Sequence, residues 1–576
     1  MRLILRYLKA YKGLVLLNIL SVFGFALVEL GIPTIVAKMI DVGVAGEDGG
    51  YLLRMGGVIA VISVVGVAGT ILLGYCCAKI STSITRDIRN DIFAKAQSFS
   101  HTEFHRFGTS SMITRTNNDA FQIQMFVNVL LRTALLTPVM LAVSFAMTIR
   151  TSVPLSLIIL ATIPLIVLGV LLVGKISGPL SEKQQGALDT LNRISRENLS
   201  GIRVIRAFGN DTHEQARFGE ANQDYTGYSK RLFKLMSLTQ PVFFFLMNLA
   251  ALAIFWVASN QIAASTLQVG QLVSFMEYLF HAMFSFMLFC LVFMMYPRAA
   301  VSAKRIKAVL DSKNDIEDKT SGRRTEGGVQ ALAFEHVTFV YPDGEEPVLK
   351  DVSFQVNRGE TIAFIGSTGS GKSTLINLLP RFYDVTEGRI TLDGTDIRDY
   401  SLESLRDAIG FVPQKAMLFS GTIAENLRYG KKDASEEELT AAAKTAQAYD
   451  FIMEKGGFEE PVTENATNLS GGQKQRLCIA RALIRHPSIY VFDDSFSALD
   501  FATDARLRQA LKGETRDAIV MIVAQRISSI LDADHIVVLN EGRVEGIGRH
   551  RELLQSCPVY HEIAVSQLSE EELAHV

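Results

Sequence analysis

The chain has 576 residues, 48% of them hydrophobic, and a formal net charge of −2, which suggests two to four domains and gives no global reason to bind nucleic acid. A mean hydropathy of +0.23 is high for a soluble protein and low for one lying wholly in a membrane. The five cysteines (Cys76, Cys77, Cys290, Cys478 and Cys557) have neither the paired spacing of a disulfide scaffold nor a zinc pattern.

The average hides two halves. Up to about Pro297 the chain carries long apolar runs, and beyond it strand and helix patterns alternate with frequent charge. At the start, Arg2, Arg6, Lys9 and Lys12 lead into an apolar stretch too long for a signal-peptide core, so no cleavable leader is expected. About 20 apolar residues cross about 30 Å of hydrocarbon. Six stretches qualify: Leu14–Val42, Leu53–Ala78, Val127–Thr148, Val153–Ile176, Leu238–Ile262 and Val269–Tyr296. Cys76 and Cys77 fall in the second and read as small buried hydrophobes.

Charge on the connections gives an orientation. Gly46–Tyr51 carries only Glu47 and Asp48, Ser259–Gln268 carries no charge, and the tight third-to-fourth turn has Arg150 as its only basic residue. The two long connections are basic, one with Arg86, Arg89, Lys95, Arg106 and Arg115, the other with Arg193, Arg196, Arg203, Arg206 and Arg217 among others. The positive-inside rule places both, and the N-terminus, in the cytoplasm. Amphipathic spacing such as Leu188, Leu191, Ile194, Leu199, Ile202 and Ile205 reads as membrane helices continuing beyond the bilayer. The turns that join them are expected near Phe99–His105 and Asn210–Gly219.

Ionisable residues inside the spans are few. Glu29 lies in the first, and Glu277 and His281 lie one turn apart in the sixth. Charge in hydrocarbon is costly, so these are functional candidates, or residues facing a wet central cavity. The sixth span is rich in Phe and Met from Phe275 to Met295. That composition suits an adaptable apolar binding wall, and ordinary packing or lipid contact accounts for it equally.

In the second half, the apolar run Thr361–Ile365 leads into Gly366-Ser367-Thr368-Gly369-Ser370-Gly371-Lys372-Ser373, continued by Thr374 in a helical pattern. This is G-x-x-x-x-G-K-[ST] in its strand–loop–helix setting, where backbone N–H groups at a helix N-terminus cradle phosphates. Lys372 is expected on the outer phosphates of ATP and the Ser373 hydroxyl on Mg2+. A second apolar strand, Ile489–Phe492, ends in Asp493-Asp494, and Asp493 is the expected metal carboxylate.

Between these lies Leu469-Ser470-Gly471-Gly472-Gln473, which resembles the signature of ATP-binding cassette (ABC) proteins. The resemblance extends over essentially the whole chain and implies roles residue by residue. Tyr341 resembles the aromatic that stacks on adenine, Gln414 the Q-loop glutamine near the metal, and Ser497-Ala498-Leu499-Asp500 the D-loop. Glu464 falls where exporters carry an acidic residue before the signature. Six spans, then this cassette, with Glu197-Asn198-Leu199-Ser200-Gly201-Ile202 in the second long connection, are similar to an ABC exporter half-transporter. The implied fold is an α-helical membrane domain of six transmembrane helices with long cytoplasmic extensions, plus an α/β P-loop NTPase cassette. The domains are expected at 1–310, with a linker at 311–330 and the cassette at 331–576. In that family Ser470, Gly471, Gly472 and Gln473 face the nucleotide held by a second chain, so ATP binds between two cassettes. The two turns named above would be the coupling helices.

Two positions depart from the family. Where a glutamate normally polarises the attacking water stands Asp494, one methylene shorter, and where a switch histidine is usual stands Gln525. A misplacement of about 1 Å can cost on the order of a hundredfold in rate, and glutamine cannot become cationic. Lys372, Asp493, Gln414 and the signature are intact. The pattern implies the degenerate subunit of a heterodimeric exporter of the bacterial cytoplasmic membrane, with a consensus Glu/His partner and a lipophilic, multidrug-type cargo. A slow homodimer, lipid or peptide export, and a nucleotide-gated channel remain the alternatives.

Overall fold

A computed structural model describes residues 2–318, 322–325 and 328–568. Residues 319–321 and 326–327 of the expected linker, and the cassette end from 569, lie outside the described residues, as do the side chains of Cys290 and Met294 in the sixth span. The chain divides into two compact units, Met1–Gln97 with Thr109–Ser312, and Ser98–Gly108 with Lys313–Val576.

The first unit is helical. A short α1 (Arg2–Leu8) precedes α2 (Lys12–Lys38), which ends in a π turn, and α3 runs unbroken from Gly49 to Gln97. The third membrane passage is α5 (Thr109–Thr114), α6 (Ala120–Val129) and α7 (Leu135–Thr151), joined by π turns. It is followed by α8 (Val153–Phe208), α9 (Asp211–Ala263) and α10 (Val269–Leu310). Among the described residues, six helical passages are long and apolar enough to cross a membrane. Three of them have 49, 56 and 53 residues, far more than about 20 needed to span hydrocarbon, so the amphipathic stretches do extend the membrane helices.

Both expected turns differ in form from the sequence reading. The second is only Gly209-Asn210: Gly209 takes the left-handed conformation (φ +63°) that a side chain disfavours, and α9 begins at once at Asp211. Residues 211–219 are therefore the first turns of a long helix. The first is a separate helix, α4 (His101–Phe107), capped by Ser100 and closed by Gly108 at φ +72°, and it belongs to the second unit.

That unit carries an antiparallel sheet of β1 (Ala331–Phe339), β2 (Leu349–Asn357), β4 (Glu387–Leu392) and β5 (Thr395–Asp396), ordered β2-β1-β4-β5, and a small antiparallel pair, β7 (Gly421–Thr422) with β8 (Pro461–Val462). The central sheet combines β3 (Thr361–Ile365), β6 (Ile409–Val412), β9 (Ile489–Asp493), β10 (Ile519–Val523), β11 (His535–Asn540) and β12 (Arg543–Gly548) in the order β12-β11-β3-β10-β9-β6. Only β12 is antiparallel. A parallel sheet is covered on both faces, which is why β9 is buried at every position. Packed around it are α11 (Lys372–Leu378), α12 (Leu402–Asp407) and α13 (Ile423–Arg428), then α14 (Glu436–Thr445), α15 (Tyr449–Glu454) and α16 (Gly471–Leu483), and finally α17 (Phe501–Glu514), α18 (His550–Ser556) and α19 (Pro558–Gln567).

Candidate functional site

Open parallel sheets bind ligands beyond the carboxyl ends of their strands. Here β3, β10, β9 and β6 are neighbours in that order. Their ends deliver the Gly366–Ser373 loop, Gln525, Asp493-Asp494 and Gln414 side by side, so topology gathers residues far apart in sequence.

The loop after β3 needs its glycines. A Cβ on Gly366 would lie 2.0 Å from the Leu539 carbonyl oxygen, and Gly371 caps α11 at φ +99° with Leu349 and Val348 pressed against it. Ser367, Thr368 and Gly369 form the exposed tip, whereas Ser370 and Thr374 are buried. The Lys372 Nζ donates to the carbonyls of Gly366 (2.9 Å) and Ser367 (2.8 Å) and to Ser370 Oγ (3.2 Å). Burial pulls its pKa down, opposed by Asp494 and Asp493.

Ser373 Oγ donates to Asp493 Oδ1 at 3.1 Å, pairing a hydroxyl with a carboxylate, the hard-oxygen donors that suit Mg2+ held together with phosphates. Among the described residues no cluster of three or more His, Cys, Asp or Glu forms a metal cage. Loop, lysine and oxygen pair thus fit Mg2+ and a nucleoside triphosphate. Tyr341 donates or accepts at Thr374 Oγ1 (2.9 Å), and its ring packs edge-on against Phe339 and Tyr383, which holds an aromatic face beside α11.

Asp494 sits at the centre of the site. Its Oδ2 accepts from Gln525 Nε2 at 2.8 Å and from Gln414 Nε2 at 3.3 Å. Its backbone has φ +46°, its N–H donates to Val523 O (3.0 Å), and its carbonyl accepts from Ser497 Oγ (2.9 Å). Burial raises its pKa above the usual carboxylate range, against the pull of the Gln414 and Ser497 hydrogen bonds. Asp493 is raised too, by burial and by Asp494, with the Ser373 hydrogen bond opposing.

Ser470 is the N-cap of α16. Its Oγ accepts from Gln473 N while Gln473 Oε1 accepts from Ser470 N, a reciprocal capping box that fixes the start of the helix. Gly472 lies close under the Ala498 carbonyl, 3.2 Å from where its Cβ would be. Asp500 caps α17 by accepting from Thr503 N, which holds its pKa below the usual range.

Three positioning contacts had no sequence signal. Gln475 Nε2 donates to Pro413 O (3.3 Å), tying α16 to the segment of Gln414. Gln567, at the end of α19, donates to Gln525 O (2.8 Å) and accepts from Ile527 N (2.9 Å). Glu103, buried, accepts from Ser100 N (2.9 Å) and Asp315 N (3.1 Å), fixing α4, whose His101 ring packs 4.6 Å from Phe382.

In the membrane unit His281 Nε2 lies 3.5 Å from Glu29 Oε2, and Thr34 and Tyr278 share a hydrogen bond of 2.6 Å. The polar contact of His281 is therefore across to α2, while Glu277 is exposed. Within the Phe- and Met-rich span, Phe275, Tyr278 and Met283 are buried packing, and Phe280 and Phe284 are exposed and stacked at 5.8 Å.

The chain matches the ABC transporter transmembrane region family over residues 15–287 and the ABC transporter family over residues 349–497. The chain is 38% identical over 574 residues to the uncharacterized ABC transporter ATP-binding protein YfiB of Bacillus subtilis, covering 98% of each chain. It is 35% identical over 485 residues to a putative multidrug export ATP-binding/permease protein, YgaD, of the same organism, covering 83% of each. A solved bacterial Atm1-family ABC exporter with ATP bound superposes with a TM-score of 0.80 at 26% identity, covering 98% of each chain.

Proposed function

Because this chain belongs to the ABC transporter family, as a six-helix half-transporter fused to its nucleotide-binding domain, we propose that it is the weakly hydrolysing subunit of a heterodimeric, ATP-driven exporter of lipophilic small molecules. The observation that carries this reading is the Asp494 carboxylate, short by one methylene and held by the Gln525 and Gln414 amides, in a site whose phosphate loop and metal oxygens are complete. Mg2+ supplies charge neutralisation of the phosphates when bound. Ser373 and Asp493 would hold it, Lys372 would turn from its loop carbonyls to the outer phosphates, and Tyr341 would stack on the base. Gln525 can donate a hydrogen bond to a phosphate oxygen but brings no positive charge. On this reading the Ser470–Gln473 helix start faces the partner's nucleotide, completing a competent site there.

The multidrug-type cargo is supported by the printed name of YgaD and by the exposed Phe280–Phe284 stack. The basic long hairpins support a cytoplasmic cassette. A second reading, a slow homodimer with Asp494 as base, is favoured by the raised Asp494 pKa, which brings that carboxyl nearer to a working base.

The test is accumulation of a lipophilic dye in inside-out vesicles carrying this chain co-expressed with a half-transporter that has Glu and His at the two positions. ATP-dependent accumulation that the partner's Glu→Gln abolishes supports the proposal. Accumulation by this chain alone at the same rate supports the homodimer, and a current without accumulation indicates a channel.

A further inference from the structure

The start of the chain carries a feature that nucleotide binding does not use. α1 buries Leu3, Ile4 and Tyr7 and leaves Arg2 and Arg6 exposed. A 3-10 turn, Lys9–Tyr11, then leads into α2 at Lys12. Between α1 and the first turns of α2 lies an open cavity of about 690 Å³, lined by Arg2, Arg6, Lys9 and Lys12 and by apolar side chains of both helices, Leu5 and Leu8 on α1 with Leu16 and Ile19 on α2.

The neighbouring carboxylates are already engaged. On α3, Asp91 accepts from the Tyr7 hydroxyl, and Asp87 accepts from the Tyr11 hydroxyl and from Arg86. None of the four cations of the cavity is ion-paired among the described residues. Four cations facing one cavity repel one another, so the arrangement favours an anion that neutralises them.

The apolar lining narrows the class of anion. Lys12 to Ile19 spans about 10 Å of helix at 1.5 Å per residue, and this is where the first apolar stretch begins. A ligand that satisfies both linings has a phosphate at the membrane boundary and hydrocarbon running up α2. A water-soluble phosphate leaves Leu16 and Ile19 uncovered, and a zwitterionic lipid brings no net charge. Basic pockets at the membrane boundary bind anionic headgroups, each cation contributing about 1 kcal/mol.

We propose that this cavity is a binding site for an anionic phospholipid, held through Arg2, Arg6, Lys9 and Lys12 with its acyl chain along Leu16 and Ile19. At about fivefold per cation, removing two weakens binding by about 30-fold.

The test is native mass spectrometry of the full-length protein in detergent, titrated with phosphatidylglycerol or with phosphatidylcholine of the same acyl chains. Preferential phosphatidylglycerol binding, about 30-fold weaker in R6Q/K9Q and unchanged in R203Q/R206Q, is the expected result. Excess inorganic phosphate is expected not to displace the lipid; displacement would make the site one for phosphate alone and overturn the proposal. Equal affinity for the two lipids, or an unaltered R6Q/K9Q, would also overturn it. If R6Q/K9Q fails to fold, R6Q and K9Q alone are each expected to weaken binding about fivefold, and no change in either overturns it.

Discussion

The Gln525 side-chain amide donates to the Asp494 carboxylate at 2.8 Å. A residue in the switch position is thus bonded to the residue in the base position, and Gln414 bonds the same oxygen from the other side. The Gly366–Ser373 loop and the Ser373–Asp493 oxygen pair lie outside this trio, so on the proposed reading nucleotide affinity depends less on the trio than hydrolysis does. Nucleotide retention by this chain is expected to depend on Lys372. Lys372→Ala loses charge-assisted hydrogen bonds worth about 1.5–3 kcal/mol, a tenfold to hundredfold loss of affinity. Filter retention of α-labelled ATP measures it.

Burial of Asp494 makes a pH prediction. Its folded pKa is raised, so the folded state binds the proton more tightly than the unfolded chain, whose value is about 3.9. Stability therefore falls as pH rises through the window between those two values, and the penalty is absent below both. Asp494→Asn, which keeps an acceptor for the two glutamines, is expected to raise the melting temperature of the nucleotide-free protein at pH 7.5. At pH values near or below 3.9 the gain is expected to vanish. Thermal unfolding at the two pH values checks it.

Gly371→Ala tests the phosphate loop. A Cβ there would stand 2.7 Å from Leu349 Cδ2 and 3.0 Å from Val348 O, on a backbone at φ +99°. Strain of this kind costs about 1–3 kcal/mol. The variant is expected to unfold at a lower temperature and to lose ATP affinity together, whereas Lys372→Ala loses affinity alone.

Glu103→Ala leaves the Ser100 and Asp315 N–H groups without the carboxylate they share. Each hydrogen bond to a charged group is worth about 1.5–3 kcal/mol, and losing them loosens α4 without touching the nucleotide loop. In the mixed dimer, basal ATP turnover is expected to persist while its stimulation by transported dye falls. The ratio of stimulated to basal rate reads this out.

The phosphate loop, the signature and the six passages were legible because their chemistry constrains contiguous residues. Gly366 and Gly371 admit no side chain, and a membrane passage must be long and apolar. The arrangement after β9 and β10 was legible only as two departures, Asp494 and Gln525; that the two bond each other follows from β9 and β10 being neighbours in the sheet. Gln567 was not legible: a glutamine near the end of a helix has no pattern until α19 is folded beside the Gln525 segment. The same holds for Glu29 and His281, which stand on helices 252 positions apart in the chain and meet only through packing of α2 on α10. The second turn was read too long because the helical periodicity of 211–219 continues into α9, and Gly209 marks the break.

On the proposed reading, Asp494 and Gln525 leave an otherwise complete site hydrolysing ATP only weakly. ATP hydrolysis by the purified chain alone in lipid vesicles tests it most directly, comparing the natural chain with D494E/Q525H. The natural chain is expected to be nearly silent and the double variant to gain on the order of a hundredfold, since its own signature can then complete a competent homodimer. Robust turnover by the natural chain, or a double variant no faster than it, would mean that Asp494 and Gln525 do not limit hydrolysis.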